Sequence, residues 1–230
     1  SSIEEELVIQ QVKNIHKNHR KIGTRKLYEM IQPYLLEHQI KMGRDRLFDV
    51  LSANYLLVKR RKKQTITTNS YHRFKKYPNL IRNFIPTEPN QLWVSDITYW
   101  KIATGFVYIS FITDAYSRKI VGSHVAQTME AVETMEALKT AISGLRKGPD
   151  CPFQLTHHSD RGMQYCSDKY VKLLQNNNIG ISMTENGDPL ENAIAERVNG
   201  IIKEEYLNDY QVNNIMEARE LLDLVVKLYN

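Results

Sequence analysis

Apolar residues recur along this chain with two different periods, and the change between them divides it. Over residues 4–19, Leu7, Val8, Val12 and Ile15 fall at helical spacing. Leu27, Met30, Ile31, Tyr34 and Leu35 repeat that spacing and predict a second helix over 24–36, with Thr24 as its N-cap. Gly43 precedes a third predicted helix over 44–53, which carries Leu47, Phe48, Val50 and Leu51. Across 64–91 no period persists, and Pro78, Pro86 and Pro89 interrupt the segment. From residue 91 the pattern turns to runs rich in Val, Ile, Phe and Tyr, which predict strands over 91–100, 105–113 and 119–126. A helix over 129–146, a strand over 153–158, a helix over 167–177 and a strand over 180–184 follow. After a loop at 185–189 come a long helix over 190–207 and a last one over 215–229.

Three short helices with a glycine-containing turn before a basic third one suit a helix-turn-helix module. A small bundle whose third helix reads nothing is the plainer alternative. The later order, strand-strand-strand-helix-strand-helix-strand-helix, is that of a ribonuclease-H-like α/β fold, a mixed five-stranded sheet with flanking helices. The expected division is a helix-turn-helix domain with a basic tail over 1–63, an extended basic linker over 64–90, and a sheet domain over 91–230.

Charge sharpens that division. The net charge of +5 is the sum of +11 over residues 1–85 and −6 over residues 86–230. Basic residues cluster at Lys59, Arg60, Arg61, Lys62 and Lys63, directly after the third helix, and Arg44 and Arg46 open that helix. Such a half points to a polyanion partner, because neutralised phosphates release counterions. His72, Arg73, Lys75 and Lys76 keep the linker basic between Tyr71, Phe74 and Tyr77, an arrangement that serves equally to track a DNA backbone or to pack on the next domain. No apolar run reaches the length of a membrane span and no signal segment opens the chain. Cys151 and Cys166 have neither zinc nor redox spacing, which predicts ordinary buried thiols in a reducing compartment. His16 and His19 have zinc-like spacing but no cysteine pair to complete a site.

The candidate chemistry lies in three acids. Asp96 stands inside the apolar run Leu92–Trp100, Asp160 ends the approach from Phe153 to Ser159, and Glu196 stands on the long helix, with 35 residues between the last two. Burying one carboxylate without a partner is unfavourable. Three that converge are tolerable if divalent metal supplies the opposite charge; hard Mg²⁺ or Mn²⁺ suits, and two such ions serve in-line displacement at phosphorus. Each acid also has a plain reading, as a strand-edge carboxylate, a turn residue and a solvated helix acid respectively. Asp114 competes for the site, but Ala115–Arg118 after it marks it as a turn carboxylate. His157 and His158 are adjacent strand residues, so they face opposite ways and only one serves a single site; His158 is the one expected near the phosphate. Helical spacing puts Glu196, Asn199 and Lys203 on one face, and Ile194, Val198, Ile201 and Ile202 on the inward stripe.

Several phrases carry a resemblance: Thr67–His72, Pro78-Asn79-Leu80, Pro89–Tyr99, His158–Tyr165 and Glu191–Arg197. Together they resemble the bacterial insertion-sequence transposases of the insertion-sequence-three family, whose catalytic core is shared with retroviral integrases. The resemblance spans about residues 20–230. It implies a DDE transposase with Asp96, Asp160 and Glu196 as the catalytic, metal-holding triad, using two Mg²⁺ ions or Mn²⁺ in their place. It further implies Lys203 as a contact to transposon-end DNA, with Asn199, Arg197, His158 and Arg161 as the other candidates around the triad. Glu191, in the phrase before the helix, is a decoy for the catalytic glutamate. The implied activity exposes a 3′-hydroxyl and joins it to another strand, in copy-out, paste-in transposition. Expected partners are double-stranded DNA and a second copy of the chain, as a DNA-bound dimer, in the bacterial cytoplasm at the nucleoid, with no membrane. Family members often begin with a further helix-turn-helix and zipper and continue past the final Tyr-Asn; a chain trimmed at both ends accounts for their absence here. A ribonuclease-H-type nuclease that stops at hydrolysis is the rival enzyme, and a silent DNA-binding descendant is the rival outside catalysis. The basic helical domain argues against the first, and three intact acids argue against the second.

Overall fold

The computed structural model describes residues 3–58, 72–145, 155–185 and 192–230. The Lys59–Lys63 cluster, Cys151 and Glu191 lie outside them. The chain forms two compact units, one of residues 1–64 with 204–206 and the other of residues 65–203 with 207–230. No helix among the described residues is long and apolar enough to cross a membrane.

The first unit contains α1 (Ile3–Asn18), α2 (Thr24–Glu37) and α3 (Arg44–Ala53). Val8 and Val12 of α1, Leu27, Ile31 and Leu35 of α2, and Leu47 and Leu51 of α3 share one core. Met30 and Phe48, expected in the apolar stripes, are instead exposed. Gly23, not Thr24, takes the N-cap of α2 in extended conformation; Thr24 is already the first helical residue. Pro33 sits inside α2, where its missing N–H removes one helical hydrogen bond and the surrounding core holds the helix together regardless.

The second unit is built on a five-stranded sheet of order β3-β2-β1-β4-β5. Its strands are β1 (Leu92–Ile102), β2 (Gly105–Asp114), β3 (Ile120–Ala126), β4 (Thr156–Ser159) and β5 (Gly180–Met183). β1, β2 and β3 pair antiparallel, and β1, β4 and β5 pair parallel. This is the ribonuclease-H-like sheet that the element order predicts. Helix α4 (Ala131–Ser143) packs on one face, with α5 (Met163–Cys166) and α6 (Asp168–Asn176) beside it. Trp93, Leu138, Tyr170 and Leu174 belong to the core between them. Close contact requires Gly122, because a Cβ there would stand 2.1 Å from the Ala137 carbonyl oxygen. On the other face Leu92 and Val94 meet Ala195 of α7 (Ala193–Ile201). A final helix, α8 (Ile215–Tyr229), packs on β3.

One expected helix is broken differently from its pattern, and one short helix was not expected. The helix expected over 167–177 is α6, with the Ser167 hydroxyl accepting the Tyr170 N–H as its N-cap, and the one-turn α5 precedes it unexpected. The helix expected over 190–207 follows the α period only to Ile201 and then widens into a π-helical stretch, Ile202–Leu207. Residues 72–91 form neither helix nor strand, and residues 78–80 dock beside β5. Pro78 accepts the Met183 N–H, and Leu80 donates to Ser182 Oγ at 2.9 Å. Asn79 donates to Glu185 at 3.0 Å, and Tyr77 packs on the core.

Candidate active site

Strand register assembles the first two acids. Leu92 lies opposite Thr156 and Val94 opposite His158 in the parallel pair. The ladder ends there, and Asp96 and Asp160 each follow two residues later, close enough for the Asp160 charge to act on the Asp96 carboxyl. Alternation along β1 puts Asp96 on the face where Leu92 and Val94 meet α7. Asp160 is held by its own turn, where its Oδ1 accepts the Gly162 N–H at 2.9 Å. A side chain at Gly162 would crowd that oxygen, with a Cβ only 2.9 Å away.

Asp96 is partly buried at the edge of this face. Its Oδ1 accepts the Ile97 N–H at 2.9 Å, and its Oδ2 accepts the Asn199 side-chain N–H at 2.7 Å. Burial above all, then the Asp160 carboxylate and to a lesser degree Glu196, raise its carboxyl to about 7, against the two N–H donors that favour the charge. Glu196 is exposed on α7. Among the described residues no three of the acids, histidines and cysteines close around one point as a single-ion cage. Asp96 is instead the acid that feels both of the others.

A divalent cation fits this arrangement. A desolvated carboxyl with two like charges in reach is short of positive charge. Buried polar atoms without hydrogen-bond partners also adjoin it: Asn199 Oδ1, Asn192 Oδ1 and Tyr165 Oη. Tyr165 stacks edge-on against Tyr170, with ring centroids 5.3 Å apart. Burial first, then Tyr170, Asp96 and Asp160, push its hydroxyl pKa up, so it remains a phenol near both aspartates.

The other expected residues divide. His158 is fully buried between β1 and β5, its Nδ1 against Ser182 Oγ at 2.8 Å. His157 faces the opposite way, as the strand alternation requires, and its Nε2 meets Ser95 Oγ at 2.6 Å and the Tyr170 hydroxyl at 3.0 Å. Asn199 is buried and committed to Asp96, not turned out toward DNA. The Arg161 guanidinium donates to the Glu185 carbonyl at 3.1 Å, and its own carbonyl meets His72 Nε2 at 2.7 Å, so it braces the turn after Asp160. Arg197 is exposed. Lys203 lies over the Tyr99 ring, 4.2 Å from its centroid, and the π-helical stretch takes it out of the α period shared by Glu196 and Asn199. In the first unit Arg44 pairs with Asp45 at 2.9 Å and Arg46 with Glu5, all at the surface. Asp114 is the turn carboxylate expected: it accepts from Asn90 N, Ser117 N and Ser117 Oγ. Cys166 is buried, and burial with the Asp160 charge lifts its thiol to about 11.

Sequence reasoning missed Asn192. Its side chain donates to the Ser95 carbonyl at 3.0 Å, next to Asp96. Its signal was available: it stands four residues before Glu196, one helical turn along the same stripe.

Known proteins agree with this architecture. Residues 86–189 and 177–230 match two families described as integrase core domain. The chain is 36% identical over 208 residues to the insertion element IS600 uncharacterized 31 kDa protein of Shigella sonnei, across 90% of this chain and 74% of that protein. It is 33% identical over 215 residues to the transposase for insertion sequence element IS629 of the same organism, across 93% of this chain and 69% of that protein. A chain of the simian T-cell lymphotropic virus intasome, solved with PP2A regulatory subunit B56 gamma, shares the fold at a TM-score of 0.50 and 18% identity, over 88% of this chain and 67% of that one. The chain belongs to the bacterial insertion-sequence transposases that carry an integrase core domain.

Proposed function

We propose that this transposase cuts transposon-end DNA and joins the exposed 3′-hydroxyl to another strand, with Asp96, Asp160 and Glu196 as its catalytic acids. The observation that supports this most directly is the Asp96 carboxyl, held at about 7 mainly by burial and within electrostatic reach of both Asp160 and Glu196. Asp96 and Asp160 would hold one divalent cation, and Asp96 and Glu196 a second. Bound Mg²⁺ or Mn²⁺ would supply the charge that activates an attacking oxygen and stabilises a leaving one. In the first reaction a water oxygen attacks phosphorus, the bond to the 3′-oxygen breaks, and that oxygen leaves with a proton as a 3′-hydroxyl. In the second, this hydroxyl attacks a new phosphodiester and loses its proton, and the displaced oxygen takes one up. The protein's own groups position these steps: Asn199 and Ile97 orient Asp96, and the Gly162 turn orients Asp160.

In the same reading Lys203, based on Tyr99, and the exposed Arg197 contact the end DNA. The first unit, with Arg44, Arg46 and the cluster Lys59–Lys63, supplies affinity for double-stranded DNA. The protein acts as a dimer on DNA at the nucleoid, by the copy-out, paste-in route. Incubation of the chain with labelled end duplex and Mg²⁺ tests this. Nicked and joined products together are the expected result, whereas nicking alone would make the chain a nuclease.

A further inference from the structure

We infer that Asn192 and Asn199 form a two-point clasp that positions the Glu196 helix on the Asp96 strand. The inference rests on the reading of the acids as catalytic, and extends it to two positioning residues.

Asn192 occupies the N-cap position of α7, yet its side chain makes no bond to its own helix. It crosses to β1 and donates to the Ser95 carbonyl at 3.0 Å. That carbonyl follows directly after Val94, where the pairing of β1 with β4 ends. Seven residues along the chain, Asn199 donates to Asp96 Oδ2 at 2.7 Å. One helical stripe thus reaches two consecutive strand residues. Glu196 stands between the two amides on that stripe, four residues after one and three before the other.

Apolar contact cannot fix this relation by itself. Ala195 packs against the cluster of Leu92, Val94 and Ala115, a non-directional contact between small side chains that tolerates sliding. Two directed hydrogen bonds set both the height and the rotation of the helix. Both asparagines are more than nine-tenths buried, and each keeps a buried Oδ1 with no hydrogen-bond partner. A purely structural contact would favour a leucine here, since an unpaired buried acceptor is unfavourable. Acceptors left open beside a carboxylate site suit the hydrogens of water carried by a cation.

The test uses the full chain with Asn192→Leu, Asn199→Leu and the double variant, which keep side-chain volume and remove the amides. Asn177→Ala, which removes a side-chain bond to the Leu173 carbonyl at the end of α6, is the control. Mn²⁺ affinity without DNA, melting in EDTA, and the single-turnover joining rate at saturating DNA are measured. Each leucine variant is expected to bind Mn²⁺ about 10- to 100-fold more weakly and to join more slowly. Its melting temperature in EDTA should stay within about 3 °C of the parent, and the control should match the parent throughout. If Asn199→Leu does not fold, Asn199→Ala is read in the same way. Mn²⁺ affinity and joining within two-fold of the parent would overturn the clasp, as would losses that merely track a lowered melting temperature. A parent chain that binds Mn²⁺ but neither cuts nor joins DNA would instead overturn the catalytic reading, and weakened Mn²⁺ binding in the variants would still support the clasp.

Discussion

Asp96, Asp160 and Glu196 are expected to fail singly. Asp96→Asn, Asp160→Asn and Glu196→Gln keep shape but remove charge, so each should abolish cutting and joining while DNA binding, read by gel shift, is retained. Robust cleavage by any one of them removes that residue from the triad. His157 governs a different property. Its pKa is lowered to about 3, by burial first and then by the neighbouring His158. The unfolded chain takes up this proton near 6.5, its ordinary value, and the folded chain only near 3. Stability is therefore complete above about 6.5 and is lost as pH falls toward 3, with a slope approaching ~1.4 kcal/mol per pH unit from this group. Denaturant titrations between pH 7 and 4 should show that slope, and His157→Leu should flatten it. At this scale the three acids were legible as candidates because each stands in a distinct phrase. The bonds of Asn192 and Asn199 were not, since spacing can put an asparagine on the Glu196 stripe but does not say which strand group its amide meets. The burial of His158 was not legible, because strand alternation says that two neighbours face opposite ways but not whether either meets the solvent.

Periodicity located nearly every helix and strand, and α3 and α8 fall where their apolar stripes put them. It could not see the one-turn α5, which is too short to carry a period, or the π-helical stretch after Ile201, which preserves the apolar content of the segment. Lys203 begins almost at that stretch, which gives its test a second meaning. Lys203→Glu should cripple cutting and joining while the melting temperature changes little, since a partly exposed cation–π contact is worth only about 1 kcal/mol. A normal joining rate would leave Lys203 as a surface prop on Tyr99. Between elements the tightest constraint is Gly122 beneath α4. Gly122→Ala places a methyl against the Ala137 carbonyl and should destabilise the chain by on the order of 2 kcal/mol or more, seen as a lower denaturation midpoint. An unchanged midpoint would mean that α4 shifts freely on β3.

Across the whole chain, charge and fold run in parallel. The +11 of residues 1–85 is spread over the helical unit and the linker, and the −6 falls on the sheet unit that carries the acids. Binding to duplex DNA should weaken steeply as salt rises, and replacing the cluster Lys59–Lys63 should lower both the affinity and the salt slope for all sequences alike. If residues 91–230 alone bind as tightly as the whole chain, the helical unit is not the main DNA-binding part. The linker's docking against β5 was not legible, because its bonds run through backbone groups and Glu185, none of which has a characteristic spacing.

The acids also arrive in sequence. Asp96 and Asp160 belong to neighbouring strands, whereas Glu196 comes on a separate helix more than thirty residues later. While the chain is being synthesised, the sheet can form its aspartate pair before that helix has left the ribosome. On the proposed function, a nascent polypeptide beside the bacterial chromosome carries an incomplete cutting centre until the helix of Glu196 has emerged and docked.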